Sequence, residues 1–277
     1  MAFIDKAKDA LKFPLECPTV KEMIDACSNM YRLGWDERNG GNISVVLTDE
    51  EVERYLPKET NGRKIDTKVD ASKLAGKYVL VTGTGKYFKN VEKDPKSTLG
   101  IIKILEGGAQ GEIVWGFEDG GLPTSEFPTH LLNHIVRREV CPSNRVVMHC
   151  HPLNTMGLSF VLPEDEDEIT RVLWKMQTES IVVFPEGVGY LPWMVCGGKE
   201  IGEATVEKAR QYRVVMWGMH GVFGMGSSLD EAFGLIETVE KAAQIYFLVK
   251  DSMKQCITND QLKAVAEAFK LDYKKII

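Results

Sequence analysis

The sequence predicts an α/β protein, α+β-like in its layering, with a mixed, mostly antiparallel central sheet covered by helices. Three observations lead there. Strand-like and helix-like segments interleave along the chain, several neighbouring strands are joined hairpin-fashion by glycine-rich turns, and no break in composition divides the sequence. Residues 1–277 are therefore expected to form a single domain. An apolar fraction of 44% against 27% charged residues is that of an ordinary globular chain. At this length a large core forms without disulfide or metal staples.

Taken in order, Val20, Met23, Ile24, Cys27, Met30 and Tyr31 recur at helical spacing, so residues 19–33 are expected to form a helix with Gly34 as its C-cap. The loop Trp35-Asp-Glu-Arg-Asn-Gly-Gly-Asn42 then feeds a strand at 43–47. Residues 48–76 are polar and weakly patterned, and read as a peripheral excursion. A strand at 78–81 runs into a second glycine loop, Thr82-Gly-Thr-Gly-Lys-Tyr-Phe88. Residues 100–105 and 112–115 form a hairpin around Gly107–Gly111. A helix is expected from Ser125 to about Val140, capped by Thr124 or Ser125, followed by a strand over Arg145-Val-Val-Met-His-Cys-His151. The acidic run 163–168 reads as a solvated loop at the positive end of the next helix. Ser180–Phe184 is expected as a strand and Gly187–Pro192 as a turn. After these come a helix at 199–212, a strand at Val214–Trp217, a long amphipathic helix at Leu229–Lys250 and a terminal helix at 258–270 opened by Thr258 or Asn259.

The bulk properties exclude several classes. A net charge of −6 offers no electrostatic footprint for nucleic acid. No stretch approaches the roughly 18 apolar residues of a membrane span. The first twelve residues carry charges throughout and lack a signal-peptide core. Six scattered cysteines without a CxxC fit reduced thiols, so a cytoplasmic location is expected.

The chemistry concentrates at His149 and His151. Side chains at i and i+2 leave a strand on the same side, so these two imidazoles can share one metal ion, while Cys150 points the opposite way as a small core residue. An isolated HxH is weak evidence, because a buried histidine satisfied by a carbonyl is commoner. His220 strengthens it: it too ends a strand and precedes a glycine. Three histidines leave coordination positions open, the pattern of catalytic rather than structural zinc. His130 and His134, four apart on one helix face, read as ordinary helical residues or as supports behind the ligands. Glu126 either complements the helix dipole or, beside a metal, acts as a general base. The two glycine loops are either plain connectors or, through exposed N–H groups and small polar side chains, an anion site. Arg38 and Lys86 are available to add charge there.

The set comprising Trp35-Asp-Glu-Arg-Asn-Gly-Gly-Asn42, Val81-Thr-Gly-Thr-Gly-Lys86, Pro123-Thr-Ser-Glu126, Met148-His-Cys-His151, Val183-Phe-Pro-Glu-Gly-Val-Gly189, Leu191-Pro-Trp193 and His220-Gly-Val-Phe-Gly224 resembles the zinc-dependent class II aldolase/adducin family. The similarity runs in order over roughly residues 20–265. It implies that His149, His151 and His220 bind one Zn2+ per subunit and that Glu126 is the catalytic acid/base. It implies that Asn39, Asn42, Thr84, Gly85 and Ser125 surround a substrate phosphate, with Arg38 a further contact. Glu179 matches a glutamate that reaches a neighbouring subunit's active site, within a homotetramer. The WDERNGGN and FPEGVG stretches point to the branch that cleaves L-rhamnulose 1-phosphate, a phosphorylated ketose, to dihydroxyacetone phosphate and L-lactaldehyde. That branch carries Gly-Ser-Gly in the second loop where this chain has Gly-Thr-Gly, a change that keeps the hydroxyl. The alternatives on the same scaffold are cleavage of L-fuculose 1-phosphate, 4-epimerisation of L-ribulose 5-phosphate, dehydration of methylthioribulose 1-phosphate, and a non-catalytic adducin-like module.

Overall fold

The computed structural model describes residues 13–58 and 61–277. The charged stretch 1–12, on which the expectation about a signal sequence rests, lies outside the described residues. So do 59 and 60 within the polar excursion.

One nine-stranded sheet organises the described chain, in the order β2-β5-β4-β3-β1-β6-β9-β8-β7. Its strands are β1 (Asn42–Val46), β2 (Arg63–Asp66), β3 (Tyr78–Thr82), β4 (Leu99–Ile104), β5 (Gln110–Gly116), β6 (Val146–Cys150), β7 (Gly189–Leu191), β8 (Val214–Trp217) and β9 (Gly221–Gly226). All neighbouring pairs are antiparallel except β7 with β8. The helices are α1 (Pro18–Leu33), α2 (Asp49–Tyr55), α3 (Pro95–Thr98), α4 (Phe127–Val140), α5 (Leu153–Val161), α6 (Glu166–Met176), α7 (Thr178–Val183), α8 (Lys199–Ala209), α9 (Leu229–Val249) and α10 (Asn259–Ala268). The mixed, mostly antiparallel sheet matches the expected class.

Strand alternation divides the core into two layers. Ile43, Val45, Met148, Cys150, Met216 and Val222 join α1 and α9 in the larger hydrophobic cluster on one face. Val46, Val79, Val81 and Ile102 pack with Phe127 and Leu131 of α4 on the other, where Val147, Val215 and Phe223 meet α8. Cys150 accordingly lies in the core, away from the side that carries His149.

Three expectations are corrected, and the 48–76 excursion, for which no elements were expected, gains some. Ser180–Phe184 is not a strand: its apolar run belongs to α7. A run this short does not reveal its period, and its carbonyls serve side chains, Val183 O accepting from Arg213 and Phe184 O from Trp174. Gly187–Pro192 is more than a turn, since Gly189–Leu191 pairs in parallel with β8. The 48–76 excursion holds α2, β2 and a 3-10 turn at Ser72–Leu74. Finally, the helix expected from Ser125 begins at Phe127, with Glu126 at the N-cap and no side-chain capping bond. Thr124 is instead drawn into the second glycine loop, its N–H donating to Thr82 O at 2.9 Å. Pro128 sits in the first turn, where its missing N–H costs nothing. Helices α3 and α5 and strand β9 lacked a sequence expectation.

Helix α2 is pinned to the sheet. Its Thr48 and Glu51 form a capping box, and the Glu51 carboxylate also accepts from Arg145, which leads into β6, at 2.7 and 3.3 Å, and from Thr19 of α1. Burial alone raises the Glu51 pKa, but these donors outweigh it and hold the group at about 2. A depressed carboxylate contributes stability that is present above its unfolded value and lost as pH falls through the folded one. We expect Glu51→Gln to cost about 1–3 kcal/mol at neutral pH. Denaturant titration should show the wild-type advantage shrinking as pH drops from about 4.5 to 2; an advantage that does not depend on pH contradicts this.

Candidate active site

Strand β6 presents His149 on the α4 side, and His151 follows one residue beyond the strand end. Each ring is oriented through its Nδ1. His149 Nδ1 donates to Val222 O of β9 at 3.1 Å, and His151 Nδ1 donates to the Glu37 carboxylate at 3.0 Å. Both protons are thereby fixed on Nδ1, and both Nε2 lone pairs are left free. Those Nε2 atoms are buried and have no hydrogen-bond partner. A buried polar atom without a partner is costly, so the arrangement fits a ligand that supplies one.

His220 completes the set from the turn between β8 and β9. The residue before it, Met219, takes the left-handed region at φ 58°, and its N–H donates to Ser159 Oγ at 2.9 Å. Backbone of this kind is sparsely populated and tends to mark functional sites. The three imidazole centroids are each 5.2 Å apart, and one ligand nitrogen from each ring lies within 4.8 Å of the others. Phe223 stacks on His149 at 4.5 Å, with Trp217 tilted at 5.2 Å. Burial first, and the neighbouring imidazoles second, push His149 well below its ordinary pKa and His220 down to about 4. Neutral imidazole is the form that binds metal. These residues fit a divalent cation.

Two glycines are required by this crowding. A Cβ on Gly40 would lie 2.9 Å from His151 Cε1, and one on Gly221 would lie 2.8 Å from His151 Cδ2 and 2.9 Å from His149 Cε1. The loops approach the rings as closely as backbone permits.

The second glycine loop and the segment before α4 are joined by Thr84 N–H to Leu122 O and Thr124 N–H to Thr82 O, both 2.9 Å, and by a bridge between Gly83 and Pro123. This union brings Thr84, Gly85 and Ser125 opposite Asn39 and Asn42. Together with the three histidines and Glu126 they line a cavity of about 200 Å³. Gly40, Gly41, Gly83 and Thr124 also line it. These are residues that sequence reading left unassigned although they sit inside the quoted motifs. Glu37 was missed as well; only its place in the first glycine loop hinted at it.

Not every expected residue converges. Arg38 is exposed, at φ 53°, and does not line the cavity, while Glu179, expected at a neighbouring copy's site, is exposed in the first turn of α7. Lys86 is paired with Asp119. Glu126 is 9% exposed and accepts from Asn42 Nδ2 at 3.1 Å. Burial raises its carboxyl pKa, against the pull of Asn42 and His151. A carboxyl lifted in this way can exchange protons nearer neutral pH. The three imidazoles, the buried Glu126 carboxyl and small polar residues of both glycine loops thus share one cavity.

Residues 21–247 match the family model described as class II aldolase and adducin N-terminal domain. A rhamnulose-1-phosphate aldolase from Listeria monocytogenes serotype 4a (strain HCC23) is 53% identical over 92% of this chain and 94% of its own length. One from Enterococcus faecalis (strain ATCC 700802 / V583) is 51% identical over 92% of each. A sugar-phosphate aldolase from Thermotoga maritima superposes with a TM-score of 0.72 at 32% identity, covering 84% of this chain and 95% of that one.

Because Glu37 holds the His151 ring, Glu37→Gln should weaken divalent-metal affinity. The effect should be near the low end, about tenfold, since the carboxylate is well exposed. Competition with a chromogenic chelator measures it, and an unchanged affinity would show that Glu37 does not orient the ligand.

Proposed function

This chain belongs to the class II aldolase and adducin family, and we propose on that premise that it catalyses reversible, zinc-dependent aldol cleavage of L-rhamnulose 1-phosphate to dihydroxyacetone phosphate and L-lactaldehyde. The observation that carries the reaction class is the convergence of three imidazoles and Glu126 on one small polar cavity. The choice of substrate is supported by identity near one half with rhamnulose-1-phosphate aldolases along most of the chain.

His149, His151 and His220 would hold the cation, and an all-imidazole set with open positions suits catalytic zinc. When bound, it supplies Lewis-acid stabilisation of the negative charge developing on the ketose oxygens. The remaining work falls to the chain itself. Cleavage of the C3–C4 bond leaves the bonding electrons at C3 and releases the C4 hydroxyl proton, which the second carboxylate, Glu179 of a neighbouring copy, would accept. Glu126, buried and with a raised pKa, would deliver a proton to that carbon, and remove it in the reverse direction. The Thr84 and Ser125 hydroxyls, the Asn39 and Asn42 amides and the Gly85 backbone would receive the phosphate, as a nest of donors does without a lysine or arginine. No lysine is needed to form an imine.

The same reading extends to assembly and setting. Residues 1–277 would make one catalytic domain, a view supported by the single sheet through the described elements. In a homotetramer the exposed Glu179 would reach a neighbouring copy's cavity as a second catalytic carboxylate. The six free cysteines fit a reducing, cytoplasmic setting. Among the described residues no helix is long and apolar enough to cross a membrane.

Purified protein should cleave L-rhamnulose 1-phosphate, lose activity to chelator and regain it with Zn2+. Exclusive cleavage of L-fuculose 1-phosphate would reject the substrate. Glu126→Ala should keep its metal and lose about 10²–10⁴-fold in turnover; unchanged turnover would refute the acid/base role.

A further inference from the structure

From Asn42 at the cavity wall a row of buried polar side chains runs into the protein, and beyond Asn42 the reaction as described uses none of them. Asn42 and Ser44 point from β1 toward α4, and α4 returns His130 and His134, one turn apart. Ser44 and His130 are 0% exposed and His134 1%. Ser44 Oγ lies 2.6 Å from His130 Nδ1 and 2.8 Å from His134 Nε2. His130 Nε2 meets Asn42 Oδ1, and Asn42 Nδ2 reaches Glu126 Oε2.

The directions of these bonds follow from donor and acceptor counts. Ionised Glu126 only accepts, so Asn42 turns its NH2 toward it and its oxygen toward His130. His130 must then carry its proton on Nε2, leaving Nδ1 as an acceptor. The Ser44 hydroxyl has one proton and gives it to His130 Nδ1. It therefore accepts from His134, whose proton is also on Nε2. Burial keeps both imidazoles neutral, His130 at about 3 and His134 well below its usual value. Every donor in the row points toward Glu126, and hydrogen bonds aligned head to tail polarise one another.

We propose that Ser44, His130 and His134 are positioning residues that act through Asn42 to hold the Glu126 carboxylate in its reactive orientation. The chain locks the Asn42 amide: a flipped amide would set oxygen against the carboxylate and NH2 against the His130 N–H. The catalytic consequence rests on the function proposed above; the hydrogen-bond directions do not.

Two measurements test it. Long-range 1H–15N spectra of the zinc-loaded protein should show His130 and His134, assigned by substitution, as neutral Nε2–H tautomers; an Nδ1–H tautomer at either would overturn the directions. In kinetics, Ser44→Ala and His134→Leu should lower kcat about 10- to 100-fold, with KM and zinc content little changed. His134→Gln, whose amide N–H can replace the Nε2 donor, should recover most of the loss. Wild-type kcat in Ser44→Ala, or equal impairment of His134→Gln and His134→Leu, would reduce the row to a packing role. Wild-type protein inactive on L-rhamnulose 1-phosphate would instead reject the function, leaving the tautomers to decide the chain.

Discussion

The structure depends on the register of three neighbouring strands. Asn42 of β1 stands opposite His149 of β6, and His149 stands opposite Phe223 of β9. Because side chains alternate, this pairing places Asn42, Ser44, His149 and Phe223 on the α4 face while Ile43, Met148, Cys150 and Val222 fill the other core. A slip of one residue would exchange the faces. It would bury the ligands against α1 and α9 and turn Cys150 toward the cavity. The hydrophobic layers therefore set the metal position as firmly as any contact of the ligands themselves.

Burial then decides the protonation states. All five histidines of the chain lie at or behind this site. Those enclosed by protein are held neutral, two as prospective ligands and two as links in the row leading to Glu126. The same low-dielectric surroundings raise Glu126. One physical cause, the cost of a charge away from water, thus prepares both metal binding and proton exchange. Where charge is retained nearby, it is partnered: the Glu37 carboxylate accepts from His151, and Lys86 pairs with Asp119.

Much of this was legible in the sequence because it was local. The HxH strand, His220 before its glycine, Glu126 at a helix start and the two glycine loops each show their chemistry within a few residues. What escaped was tertiary. Nothing near Ser180–Phe184 announces that Arg213 and Trp174 will take its carbonyls, so a β-branched run read as a strand. Strand β9, with its glycines, lacks the expected propensity and forms because β6 and β8 offer ladders on both sides. The role of Ser44 was hidden because its partners lie 86 and 90 residues away. The capping box at Thr48 and Glu51, by contrast, was readable and simply passed over.

The spacing of these partners along the chain also bears on how the molecule comes together. Asn42 meets Glu126 across 84 residues, and His149 meets the Val222 carbonyl across 73. Closing such loops costs entropy before any contact repays it, so the cavity exists only where these distant segments have come together. A cation held by rings from β6 and the β8–β9 turn would bind only after those strands have paired. Its binding free energy then adds to the stability of the folded state by mass action. Metal supply would govern how much of the protein survives in a cell as well as how fast each copy turns over.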